Sequence, residues 1–153
     1  MNGSKQAVLR SRIALCVYLA AGSCLSFGSL AGELTVNVTG LIAPYGSVGC
    51  SLFSAEAGFP MDNSRAKTEW VPASGDSVTC RFKDVAPGKF AVSIAHDTNG
   101  NRKVDTNFFG IPTEQWGVSN NARPSLRAPR FDEAVFSIAS EIPNHSIDIK
   151  VAK

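Results

Sequence analysis

Phe90-Ala91-Val92-Ser93-Ile94-Ala95-His96-Asp97-Thr98-Asn99-Gly100-Asn101 holds two patterns back to back. In its first half Phe90, Val92 and Ile94 stand at every second position with small residues between them. That is the two-residue period of a strand with one packed side and one side facing elsewhere. The second half is a run of Asp, Asn and Gly, which ends a strand because short polar side chains bond to their own backbone and tolerate left-handed turns. The stretch therefore reads as a strand that feeds an oxygen-rich loop.

The same period of two recurs on both sides of it. Leu34-x-Val36-x-Val38, Val48-x-Cys50-x-Leu52 and Val78-x-Cys80-x-Phe82 precede it, and Ala134-x-Phe136-x-Ile138 and Ile147-x-Ile149-x-Val151 follow. One-sided alternation calls for one packed and one solvated face, as in antiparallel sheets, and six such strands bury their apolar sides only against one another. The expected fold is all-β, a single antiparallel sandwich of six to seven strands. Turn chemistry separates the strands at Pro44-Tyr45-Gly46 and at Asp84-Val85-Ala86-Pro87-Gly88. No stretch has the period of a useful amphipathic helix. Two segments look strand-poor, residues 55–75 and, longer, 97–130, and loops of that length usually carry a function.

At 153 residues, 44% hydrophobic and a formal net charge of +2, the chain is of the ordinary globular kind. No basic run interrupts its later part, so nothing offers the cationic stripe that nucleic-acid phosphates require. The first residues differ from the rest. Lys5, Arg10 and Arg12 precede an uncharged apolar run from Ile13 to Ala21, which passes through small residues to Ser29-Leu30-Ala31. This three-part layout is that of a secretory signal peptide cut after Ala31, leaving residues 32–153 as the mature domain. A retained anchor helix is one alternative, although the run is short for a bilayer. A lipoprotein with its lipid on Cys24 is another, on the strength of Ala21-Gly22-Ser23-Cys24. In each case the domain lies outside the cytoplasm, periplasmic or secreted, without a transmembrane segment in the mature chain. A monomer with an unidentified envelope or extracellular partner is expected.

Removal of the leader takes Cys16 and Cys24 with it and leaves Cys50 and Cys80 as an even pair in an oxidising compartment. Both alternate with apolar residues, so a buried disulfide is expected. Closing a loop of about 30 residues stabilises a fold by roughly 3–4 kcal/mol on the chain-entropy account. Two free buried thiols are the other reading.

Within the loop, Asp97, Asn99, Asn101 and Asp105 fall at positions one, three, five and nine, with the carbonyl of Lys103 at seven. This is the register in which a curled backbone turns oxygens toward a hard cation, and calcium suits such a loose all-oxygen set. With only two carboxylates the binding is weak, matched to millimolar calcium outside cells. Arg102 stands where the sharp turn of an EF-hand has Gly, and Phe108 where it has Glu, so the loop is not an EF-hand. Glu114 is the nearest further carboxylate to fold back. The competing reading is a plain turn formed by Asp97, Asn99 and Gly100. Beyond the loop, Trp116 with Asn120 and Asn121, and Trp70 from the earlier gap, offer a rim for sugar or peptide, or else a lid over the end of the sandwich.

The block Ala91 to Asn101 with Asp105, Gly110-Ile111-Pro112, Glu114, Gly117 and Ser119-Asn120-Asn121-Ala122 resembles the uncharacterised bacterial exported domain-of-unknown-function family 2141. Val38-x-Gly40-Leu41, Pro87-Gly88, Phe131 and Ala134 extend the likeness over nearly the whole mature chain. The resemblance implies an exported sandwich of the immunoglobulin or prealbumin kind, and no activity. Members of that family commonly have Asn-Gly-Lys where this chain has Asn101-Arg102-Lys103.

Catalysis needs a nucleophile with a base, a carboxylate pair or an open metal site. His96 follows Phe90, Val92 and Ile94 on the packed side and reads as a satisfied half-buried residue, while His145 reads as part of a polar turn. The first expectation is thus a non-catalytic envelope module whose loop holds calcium. The second is a carbohydrate- or peptide-binding module that uses Trp70 and Trp116 without metal. A hydrolase centred on His96, Asp97 and Glu114 is the third.

Overall fold

In the computed structural model, which describes residues 31–141 and 144–153, eight strands form two sheets. They are β1 (Gly32–Thr39), β2 (Ser47–Phe53), β3 (Lys67–Pro72), β4 (Ser77–Val85), β5 (Gly88–Asp97), β6 (Trp116–Val118), β7 (Phe136–Ile138) and β8 (Asn144–Lys150). The smaller sheet has the order β4-β1-β8. The larger runs β3-β2-β5-β6, with β7 pairing the first residues of β5. The expected leader, with Cys16 and Cys24, lies outside the described residues. Among the described residues no helix is long and apolar enough to cross a membrane.

The alternation read from the sequence becomes the core. Leu34, Val36 and Val38 of β1 are fully buried, and they face Val48, Cys50 and Leu52 of β2 and Val92 and Ile94 of β5 within one continuous cluster. Cys50 of the larger sheet and Cys80 of the smaller one form a disulfide across this core, with Cα atoms 6.4 Å apart. The bond ties the two sheets together at their centre, where a loop-closing link restricts the unfolded chain by about 3–4 kcal/mol.

Tertiary structure departs from the sequence reading at definite places. The segment 55–75 contains an edge strand, β3, whose residues are only half buried or exposed, so apolar alternation has little to act on there. The segment 97–130 contains β6, three residues long and held by β5. β8 lies parallel to β1, with Val36 opposite Ile147 and Val38 opposite Ile149, rather than antiparallel as expected. Strands so far apart in the chain have no tight turn to set their direction. The Asp84–Gly88 turn makes no hairpin. It carries the chain from β4 in one sheet to β5 in the other, with Asp84 at φ 56°. Ala134 belongs to a short helix, α1 (Phe131–Ala134), so its strand begins only at Phe136. His145 sits within β8 and stacks on Phe136 at 5.7 Å between ring centroids, not in a polar turn.

Candidate functional site

β5 ends at Asp97, which is 1% exposed although it carries a carboxylate. Its Oδ1 accepts the backbone N–H groups of Asn99, Gly100 and Asn101 at 3.2, 2.7 and 3.2 Å, and its Oδ2 accepts that of Arg102 at 2.7 Å. Burial pushes this carboxyl up, but the four N–H groups outweigh burial and leave it below the ordinary Asp value. The loop is thus wound around its own first residue. Such winding requires left-handed backbone, found at Gly100 (φ 84°) and at Arg102 (φ 60°). Arg102 adopts the turn that the expected Gly would have made freely, at a cost of order 1 kcal/mol. Room for the loop's first turn comes from Gly46, where a Cβ would stand 2.3 Å from the Asp97 carbonyl oxygen.

Glu114 does fold back. It is 7% exposed, and its Oε1 accepts from the N–H and hydroxyl of Thr98 at 2.8 and 2.7 Å while its Oε2 accepts from the N–H of Asp105 at 3.2 Å. One carboxylate therefore pins both ends of the segment 98–105. Within that segment the side-chain amides of Asn99 and Asn101 donate to Asp105 at 2.6 and 2.7 Å. Their oxygens accept the N–H groups of Asn101 and Lys103.

The residues expected to bind calcium are consequently gathered, with oxygen chemistry throughout and no imidazole or thiolate among them. Among the described residues no three His, Cys, Asp or Glu side chains come together as a metal-holding group. A hard cation at this place would rest on Asp105 and the side chains of Asn99 and Asn101, since Asp97 already holds four backbone N–H groups. A half-turn of each amide brings oxygen where nitrogen now faces Asp105.

His96 is fully buried rather than half-buried, at 1% exposure. Its Nε2 lies 3.0 Å from the Tyr45 carbonyl and its Nδ1 3.2 Å from Gln115 Oε1. Gln115 in turn accepts the N–H of Ile42 at 2.9 Å and donates to the Gly40 carbonyl at 2.8 Å. His96 and Gln115 are thus struts between β5, the β1–β2 connection and the end of the long loop.

The two tryptophans lie on the outer face of the larger sheet, on its two outer strands, not at the end of the sandwich. Cross-strand register places Trp70, Gly49, Ala95 and Trp116 in one row, and Thr68, Ser51, Ser93 and Val118 in the next. Trp70 leans its ring over Gly49, where a Cβ would collide with ring atoms at 2.7 Å. Neither ring is bare. Arg102 lies 5.8 Å from the centre of Trp70, and Arg123 lies 4.2 Å from that of Trp116. The small residues Gly49, Ser51, Ser93 and Ala95 floor a groove of about 800 Å³. Phe109, Ile111 and Pro112 of the long loop form one wall, and Pro124, Leu126 and Pro129 contribute to another. The size lies within the range of small-molecule sites.

Asn120 and Asn121 hold the fold from its outer edge. The Asn120 amide donates to the carbonyls of Glu133 and Val135, and Asn121 accepts the N–H of Lys150 at 2.8 Å. Both have positive φ, which Asn tolerates better than most residues. Their amides are engaged there rather than displayed on a binding rim. The groove floor was not anticipated from sequence. Its signal was the run of small residues between the apolar ones, Gly49-x-Ser51 and Ala91-x-Ser93-x-Ala95.

A β-sandwich with an inter-sheet disulfide, a wound Asp/Asn loop and a groove on one outer face defines this protein's class. The chain belongs to the family described as "Uncharacterized protein conserved in bacteria (DUF2141)", whose model matches residues 36–145. No curated protein and no solved structure matches it.

Proposed function

We propose that this chain is a non-catalytic ligand-binding module of the bacterial envelope, with the groove on the outer face of the larger sheet as its site. What carries this reading is that Lys103 and Val104, in the segment pinned by Asp97 and Glu114, line that groove and lead into its wall at Phe109, Ile111 and Pro112, so winding of the loop bears on the shape of the site. Small side chains on strands are what a recessed floor requires. The non-catalytic character is supported by His96, whose ring is committed to Tyr45 and Gln115 inside the fold. Export is supported by the leader-like start of the sequence together with the disulfide.

The test is tryptophan fluorescence and two-dimensional NMR of the purified protein against neutral glycans, short peptides and apolar small molecules. Ser93→Phe, which fills the floor, serves as the control. The expected result is a perturbation centred on Trp116 that disappears in Ser93→Phe. If no class of compound perturbs Trp116, the proposal fails.

Calcium belongs to the same reading as the ion that stiffens the loop. The Asp105 carboxylate with the Asn99 and Asn101 side chains on it favours it. A ligand of the native state alone raises the melting temperature by mass action. Millimolar calcium is expected to raise it by a few degrees over chelator, roughly the effect of about 1 kcal/mol in a domain of this size, and Asp105→Ala should abolish the rise. An unchanged melting temperature removes calcium and leaves the groove.

A further inference from the structure

The chemistry around the groove says what kind of molecule fits it. Polar groups on the floor are few and partly engaged: the Ser51 hydroxyl is held by Asn63 and Thr68 at 3.0 and 2.9 Å. A sugar would therefore lose hydrogen bonds to water and find few in return. A peptide strand would meet the face of a sheet, whose backbone groups are already paired, and not a free edge. The walls are apolar, and the apolar surface continues outward past the mouth. Phe108, Phe109 and Leu126 are 96%, 82% and 99% exposed, an arrangement that water disfavours unless something covers it.

Charge adds the second half. The groove is lined by Lys103, Arg123, Arg127 and Lys153 and by no Asp or Glu. Arg127 is neutralised by Glu133, at 2.5 Å. Lys103 has no carboxylate partner among the described residues. Arg123 donates to the backbone oxygens of Trp116, Ala152 and Lys153, and among the described residues no Asp or Glu pairs with it or with the Lys153 ammonium. Three cations without an Asp or Glu partner among the described residues, Lys103, Arg123 and Lys153, thus stand beside an apolar trough.

Resting on the binding reading above, we infer that the groove takes a single-chain amphipathic anion, an acyl chain lying on the small-residue floor with its carboxylate or phosphate head at Lys103 and Arg123. Chain burial supplies the affinity. The two cations supply the selectivity against neutral amphiphiles of equal length through charge-assisted hydrogen bonds to the head group.

Isothermal titration calorimetry of the purified protein with laurate, dodecyl phosphate and dodecanol, each below its aggregation threshold, tests this. At least one of the two anions is expected to bind about tenfold or more tighter than dodecanol. Whichever of them is tighter identifies the head group. Lys103→Glu, at an exposed position, should remove most of that preference while leaving dodecanol unchanged, and Ile111→Asp on the wall should weaken all three. Dodecanol binding as tightly as both anions overturns the anionic assignment and leaves a binding groove. No binding of any of the three overturns the inference altogether, and the glycan and peptide arms of the earlier panel then decide the broader reading on their own.

Discussion

The two sides of β5 are built from the same ten residues and do opposite things. Inward, Val92, Ile94 and His96 are closely packed, the first two against the smaller sheet and its disulfide, the last against Gln115 and the Tyr45 carbonyl. Outward, Ser93 and Ala95 are nearly as inaccessible yet line the groove, while Ala91 packs with Val118 and Ala134 in a second, smaller cluster. Burial alone therefore does not distinguish a core from a site. Side-chain volume does, because a close-packed face is filled by its own residues whereas a recessed one leaves space for another molecule.

This contrast breaks most easily on the packed side. Phe82→Ala, at a fully buried position of β4, should destabilise by about 3–5 kcal/mol through lost contacts and a residual cavity. Ser93→Ala on the outer face should change stability by less than about 1 kcal/mol. Urea unfolding of both variants measures the difference, and equal losses would mean that the outer face is core as well. Replacing Cys50 and Cys80 together by Ala should cost about 3 kcal/mol, with the binding panel unaffected, since the link lies on the packed side.

The loop that ends β5 offers finer tests. Asp97→Ala removes a buried ionised acceptor from four N–H groups of exposed loop residues and should cost about 2–3 kcal/mol. The sign with pH follows from its lowered carboxyl. Because the folded protein holds the proton less tightly than the unfolded chain, the stabilisation is full above the ordinary Asp value of 3.8 and is lost as pH falls through the lower folded value. Denaturant midpoints between pH 5 and 2 should decline less steeply in Asp97→Asn, and an unchanged slope would deny the carboxylate this role. The smallest effect is expected from Arg102→Gly. It relieves a left-handed residue but gives up the contact with Trp70, for a net gain below about 1 kcal/mol. A loss instead would show that the guanidinium over Trp70 matters more than the backbone.

Part of this is legible in the sequence alone. The strands with strict alternation, β1, β2, β4 and β5, stand where their apolar residues repeat, because burying one side of a strand demands that repeat. The Asp/Asn block announced a wound loop because Asx side chains bond to nearby backbone. β3 and β6 were not legible. Their existence depends on pairing with β2 and β5, a long-range contact that leaves no period in a half-exposed edge or a three-residue strand. The return of Glu114 onto Thr98 and Asp105 was likewise one among several placements open to a carboxylate in a long loop.

Local chemistry, in short periods and turn residues, thus determined the β-class and the oxygen-rich loop, since each arises from residues near one another in the chain, and the count of cysteines left Cys50 and Cys80 to pair. The parallel docking of β8, the committed ring of His96 and the groove on the outer face of the larger sheet were decided only in three dimensions. Each depends on which strand lies beside which. Gly49, Ser51, Ser93 and Ala95 become a floor only when β2 and β5 pair in the register that sets them side by side.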